Sequence, residues 1–205
     1  MSPKVREPKQ DRSIRTRNRL LEAGKRVFSQ RNYHDVHAGD IAREAGVAVG
    51  SFYAYFHDKR DLFMALLDEY LERNFTVLRE GARDFSFGEN VHLDEFIYGA
   101  LEMLLKAHME SPSLLREFLR MALYDDELKD RMNGMDMLAR GILENALMQL
   151  DRIKKREVKS IAYMLYYASE GVIHQMVLAP GEMDEKTILR NFSSVLARYL
   201  ESEFI

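Results

Sequence analysis

The 205 residues, 46% hydrophobic and 31% charged, suffice for one small domain joined to a medium one and have the balance of an ordinary globular protein. The chain has no cysteine, which excludes disulfides and thiol catalysis and suits a cytoplasmic location. No apolar run approaches the roughly 20 residues of a membrane span, and the charged first residues lack the apolar stretch of a secretory signal.

A net charge of −3 conceals an uneven distribution: residues 1–60 hold 13 Lys and Arg against 7 Asp and Glu, and residues 61–205 hold 17 against 26. A basic amino-terminal part is attracted to a phosphate backbone, but charge alone equally describes a solvated surface. Pattern has to decide. Met1–Gln10, with two prolines and little apolar content, reads as a flexible basic arm. From Asp11 the apolar residues Ile14, Leu20, Leu21, Val27 and Phe28 predict a helix, which Asn32 ends as a residue tolerant of left-handed backbone. Gly24 within it costs helix stability by up to about 1 kcal/mol. A short helix over Gly39–Glu44, a turn at Gly46 and another short helix over Val49–Tyr55 make a helix-turn-helix signal, with the first helix supplying the missing core wall.

Asp58 caps a long helix that carries Leu62, Phe63, Leu66, Leu67, Tyr70, Leu71, Phe75 and Leu78, with Asp61 in capping-box register. Gly81–Asn90 reads as a loop anchored by Phe85 and Phe87. Further helices are predicted over Leu93–Met109, Ser113–Leu123, Glu127–Leu150, Arg156–Leu178 and Asp184–Leu200, the last two separated by Pro180-Gly181. The expected fold is all-α, about nine helices: an arm (1–10), a three-helix head containing the helix-turn-helix (11–58), and a larger helical ligand-binding and dimerisation domain (59–205).

The run Arg17-x-x-Leu20-Leu21-x-Ala23, Val27-Phe28, Asp40-Ile41-Ala42-x-x-Ala45-Gly46-Val47 and Gly50-Ser51-Phe52-Tyr53-x-Tyr55-Phe56-x-x-Lys59-x-x-Leu62 resembles the TetR/AcrR family of transcription regulators. The order and spacing extend over nearly fifty residues, whereas the rest matches in length and architecture alone. The resemblance implies a bacterial homodimer that places one helix-turn-helix per subunit on an inverted-repeat operator in double-stranded DNA and is released by a small-molecule effector. By position it assigns Gly50, Ser51 and Tyr53 to the DNA surface, Tyr55 and Lys59 to phosphates, and Arg17 to the same interface. Ala48 and Val49 stand where the family often has polar and basic residues; they can meet thymine methyls but donate no hydrogen bonds to bases. His37 replaces a usual Ser or Thr and can still donate to phosphate. The basic run Lys4–Arg19 reads either as extra backbone or minor-groove contacts or as a solvated tail.

Arg156–Leu178 is apolar on more than one face, so one side can serve its own core and another a partner subunit. With Asp184–Leu200 it supplies the expected dimer interface: Ile161, Leu165, Val172, Met176, Ile188, Phe192, Val195 and Tyr199. Candidate effector-binding residues are Phe96, Met103, Leu104, His108, Tyr124, Met135, Ile142, Tyr166, Tyr167 and Glu170, although any single Met or aromatic fits ordinary core packing as well. Glu170 is the exception, a charge inside an apolar run that must meet either a cationic or hydrogen-bonding ligand or an arginine across the dimer. His108 and His174 show no metal-site spacing, and no cofactor is expected. Nothing in the sequence marks an enzyme: there is no phosphate-binding glycine loop and no acid pair of diagnostic spacing. The alternative is a helical ligand-binding protein or enzyme that retains a non-functional head.

Overall fold

The computed structural model describes residues 11–83, 92–150 and 153–202. The arm residues Lys4, Arg6 and Lys9 and the loop anchors Phe85 and Phe87 lie outside them. All regular structure among the described residues is helical. The helices are α1 (Asp11–Gln30), α2 (Ala38–Glu44), α3 (Val49–Tyr53), α4 (Lys59–Arg83), α5 (Leu93–Met109), α6 (Pro112–Met121), α7 (Asp126–Leu147), α8 (Val158–Leu178) and α9 (Glu185–Glu201), with a short 3-10 turn at Tyr33–Asp35.

Local chemistry accounts for most of the boundaries. Pro112 opens α6, where its missing N–H costs nothing. Asp184 caps α9 by accepting from the Thr187 backbone N–H and hydroxyl, both at 3.0 Å. The Asp58 carboxylate accepts from the Asp61 N–H at 2.8 Å, as a cap should. Asp61, however, accepts from the His57 N–H at 2.9 Å, one residue before the position a capping box would use. Gly46, at φ 64°, is the one positive-φ residue among those described, so the left-handed step of the helix-turn-helix falls where no Cβ obstructs it. Asn32 does not take the left-handed conformation expected of it. It is extended, at φ −61° and ψ 147°, and its side chain instead accepts from Arg120 Nη1 at 2.6 Å.

The chain divides into two compact units: one comprises residues up to Leu71 together with Ser111–Lys129, the other Glu72–Glu110 together with Asp130 onward. In the first, a chain of aromatic rings forms the core. Phe28 meets Phe63 edge-on at 4.9 Å, Tyr33 lies 4.8 Å from Phe63, and Phe118 is 5.0 Å from Phe63 and 5.5 Å from Tyr70. Packing therefore groups α6 and the first half of α4 with the head, whereas the sequence drew its functional boundary after residue 58. Two polar ties reinforce the grouping. The buried Glu117 carboxylate accepts the Tyr33 backbone N–H at 3.1 Å. Arg60 grips Asp125 through two hydrogen bonds, 2.8 and 2.9 Å, and reaches Glu127 at 2.8 Å.

Gly24 has a packing role that the helix pattern did not show. A Cβ there would stand 2.5 Å from Leu62 Cδ2 and 3.3 Å from Leu66 Cδ1, so the missing side chain lets α1 approach α4. In the second unit the core joins Leu93, Leu147, Leu150, Ile153, Val158, Ile161, Ala162, Leu165, Leu196, Ala197 and Leu200. Three expected dimer-interface residues, Ile161, Leu165 and Met176, belong to the interior of their own chain, at 2%, 6% and 6% exposure. The apolar α8 helix turns them inward because its other sides carry the exposed positions Tyr163, Met164 and Tyr167.

Candidate functional site

The head presents a short helix held from behind. Phe52 and Phe56 are buried, 5.7 Å apart, and anchor α3 and the residues after it. The opposite side is open: Ala48, Val49, Gly50 and Tyr53 are exposed and Ser51 is half-buried. Arg19 donates to the carbonyls of Ala45 and Gly46 at 2.6 and 3.4 Å, fastening the turn to α1. Arg17 lies over the Phe56 ring at 5.4 Å, and the Tyr55 hydroxyl accepts from Ser13 at 3.1 Å. The candidate phosphate contacts Arg17 and Tyr55 are thus half-buried and braced, which fixes their direction.

His37 is exposed just before α2, and its backbone N–H donates to Asp40 at 3.0 Å. That bond, with Arg31 and Arg43 beside it, holds the Asp40 carboxyl below its ordinary value. Lys59 is more committed than expected of a phosphate contact. Its ammonium donates to the carbonyls of Tyr33 and Val36, both at 2.8 Å, and lies 4.5 Å from the centre of the Tyr33 ring. Partial burial lowers its pKa, with Asp35 opposing the shift. Lys59 therefore closes the 3-10 turn onto the start of α4. The sequence pattern placed the residue without revealing this bond, because a backbone carbonyl has no signature.

The second unit assembles a polar cluster from α5, α7 and α8. Glu170 Oε2 lies 3.4 Å from His108 Nε2 and 3.1 Å from His174 Nε2, and the two imidazole rings are 5.3 Å apart. His108 is buried, and its Nδ1 is 3.0 Å from the Leu104 carbonyl. Since a carbonyl only accepts, Nδ1 carries the hydrogen and Nε2 faces the carboxylate. Burial pushes Glu170 upward, but hydrogen bonds from His108 and His174 and their charges outweigh it and hold the carboxyl well below its usual range. Burial likewise lowers His108, while the Glu170 bond and charge and the Leu104 bond raise it by more. Tyr166 donates to Asp136 at 2.8 Å and Tyr167 to the same carboxylate at 3.4 Å. Burial, with the Glu170 charge adding to it, raises Asp136.

Of the ten candidate effector residues, His108, Tyr166, Tyr167 and Glu170 come together here. Leu104 contributes its carbonyl, and Phe96, Met135 and Ile142 are half-buried in the same unit. Met103 is 42% exposed. Tyr124 does not join them: it is 82% exposed and lies in the first unit. Its helix α6 turns Phe118 and Met121 inward and leaves the following Leu123-Tyr124 turn in solvent. His174 and Asp136 were not among the candidates. His174 follows Glu170 by four residues, which puts both on one helix face, a signal that was there to be read.

On the expected dimer surface, Val195 and Tyr199 are exposed, and Val172, Ile188 and Phe192 are half-buried. Ile188, Phe192, Val195 and Tyr199 follow the spacing of one face of α9. No helix among the described residues is long and apolar enough to cross a membrane.

Residues 20–66 match the family model described as bacterial regulatory proteins, tetR family. Residues 92–200 match the tetracyclin repressor-like C-terminal domain. The HTH-type transcriptional regulator YdgC of Bacillus subtilis (strain 168) is 36% identical over 62 residues, 30% of this chain and 32% of that protein. The fatty acid metabolism regulator protein of the same organism is 33% identical over 67 residues, 31% of this chain and 34% of that protein. The chain thus spans about a third of the length of these curated relatives. Among solved structures, the fatty acid degradation regulator FadR of Bacillus halodurans is similar with a TM-score of 0.65 at 20% identity, covering 97% of this chain and 98% of that one. GusR of Salmonella enterica gives 0.69 at 18% identity, covering 96% and 100%. A putative regulator of Pseudomonas aeruginosa PAO1 gives 0.76 at 18%, covering 94% and 93%. At these identities the likeness is one of fold.

Proposed function

This chain belongs to the TetR family of bacterial regulatory proteins, and from that premise we propose that it is a ligand-responsive transcriptional repressor acting as a homodimer on an inverted-repeat operator. The observation that carries the reading is the open side of α3, where Ala48, Val49, Gly50 and Tyr53 are exposed on a helix anchored from behind by Phe52. A five-residue helix offers few side chains to one major groove, so discrimination requires two copies, and two-fold symmetry makes the target an inverted repeat. Val49 and Ala48 suit thymine methyls, Tyr53 reaches a base edge or phosphate, and Arg17, His37 and Tyr55 position the head on the backbone, while Lys59, bound to the Tyr33 and Val36 carbonyls, braces the turn behind them.

The second copy docks on α8 and α9 through Val195, Tyr199 and the half-buried Ile188, Phe192 and Val172. An effector occupies the second unit beside Tyr166, Tyr167 and Glu170. It acts by favouring one of two dimer geometries, which requires that it bind them unequally. α4 (Lys59–Arg83) and α7 (Asp126–Leu147) each have residues in both units.

The test is footprinting on the DNA flanking the gene, with Tyr53→Ala beside the wild type. An inverted repeat should be protected, and the variant should bind it about 10-fold or more weakly at unchanged thermal stability, since Tyr53 is 47% exposed. Protection without symmetry favours a general DNA binder, whereas absence of protection, or an unaffected variant, favours the alternative of a helical ligand-binding protein with an idle head.

A further inference from the structure

We propose that His108, Glu170 and His174 form a binding site for one divalent transition-metal ion, zinc being the representative, inside the second unit. The sequence spacing gave no such signature. The fold makes it by bringing His108 of α5 against the Glu170–His174 pair of α8. The three donor atoms lie within 4.8 Å of one another. A tetrahedral ion with ligands at 2.0–2.1 Å separates its donors by roughly 3.3 Å. The two contacts to Glu170 Oε2, 3.4 and 3.1 Å, already have that spacing, and only the two imidazoles need draw together.

The chemistry of the donors supports the same occupant. The Nδ1 hydrogen of His108 is committed to the Leu104 carbonyl at 3.0 Å, which is the outer bond that orients a metal-ligating imidazole and leaves Nε2 as the ligand. When that ring is neutral, Nε2 turns a lone pair toward a carboxylate oxygen. In the ion-free site a proton on Nε2 fills that gap as a hydrogen bond to Glu170, and a metal ion binds by displacing it. The Asp136 carboxylate, close enough for the Glu170 charge to raise its pKa, adds negative potential on the α7 side. Two imidazoles and a carboxylate, with no thiolate, suit zinc, nickel or cobalt rather than copper(I), calcium or magnesium. Side-chain exposures of 5% for His108, 17% for Glu170 and 27% for His174 leave an approach from the α8 side while keeping the ion mostly out of water. Three protein donors leave a tetrahedral ion one further position, for water or for a donor atom of an effector.

This inference goes beyond the regulator reading and does not depend on it. Its test uses untagged, metal-free full-length protein, titrated with zinc by calorimetry and with cobalt(II) by visible absorption. The expected result is one equivalent per chain and the intense absorption of a four-coordinate cobalt site. His174→Asn and Glu170→Gln should each weaken binding by at least the roughly 100-fold that loss of a mere outer-shell partner can cost, with unchanged far-ultraviolet circular dichroism. Absence of saturable binding, or binding that survives both variants undiminished, would overturn the proposal. Failure of operator binding would not bear on it.

Discussion

Gly24 and Lys59 show how far a residue's role depends on what the fold sets against it. Read along the helix, Gly24 is a weak point that alanine should repair by about 1 kcal/mol. Set against the fully buried Leu62, it is a point of close approach, and a Cβ 2.5 Å from Leu62 Cδ2 forces that side chain out of a packed site. Overpacking of this kind costs about 1–3 kcal/mol. Gly24→Ala should therefore lower unfolding stability by about 1 kcal/mol net, measured by denaturant titration, and a stabilised variant would show that Leu62 yields freely. Lys59 was legible as a matching position, but its bonds to the Tyr33 and Val36 carbonyls were not. Glu170 was legible as an anomaly, a charge inside an apolar run, yet its partners came from α5 and from four residues along its own helix.

At the level of elements, periodicity and punctuation located the helices well. Leu93–Met109 and the start of α3 at Val49 fall where the pattern put them, and the others differ by a few residues at their ends. Pattern could not say which neighbour each helix meets. Nothing along the chain marks the place of α6 against the 3-10 turn and α4, where Glu117 holds the Tyr33 N–H and Phe118 meets Phe63. The Arg60–Asp125 clasp joins α4 to the residues leading into α7, and it has a testable pH dependence. Hydrogen bonds from Arg60, against a smaller opposing effect of burial, lower the Asp125 pKa in the folded state. The stabilisation is then complete above the unfolded value of about 3.9 and is lost as pH falls through the lowered folded value. Arg60 is 40% exposed, so its removal should cost only about 1 kcal/mol at pH 7. Denaturant titrations of Arg60→Gln and wild type at pH 7 and pH 3 should show that difference shrinking in acid. A difference that stays constant would assign the clasp's effect to packing rather than charge.

For the whole molecule, the pertinent surface is the one α9 leaves open. Ile161, Leu165 and Met176 are buried in their own chain, so the proposed dimer surface reduces to the exposed Val195 and Tyr199 and the half-buried Val172, Ile188 and Phe192. An aspartate at Val195, 60% exposed in the single chain, adds little cost to the monomer but places an unpaired charge in a dimer interface. Sedimentation of Val195→Asp should show a shift from dimer to monomer, with helix content retained. A variant that remains dimeric would move the interface elsewhere. Operator affinity should fall when dimerisation is lost, because each head alone supplies only half of the contacts.

Sequence alone determined the all-α class, the order of the helices, the helix-turn-helix between Asp40 and Leu62 and the family to which that run points. Each of these rests on local spacing: apolar residues at helical intervals, a cap such as Asp184, a glycine where the backbone must turn left-handed. The tertiary structure decided what depends on residues far apart in the chain. It turned three expected interface residues inward, removed Tyr124 from the effector candidates, and gave Gly24 a packing role. It also brought His108 to within 3.4 Å of Glu170 across an interval of more than sixty residues. Such meetings depend on how whole helices pack, and the period of one helix carries no record of the side chains another will set against it.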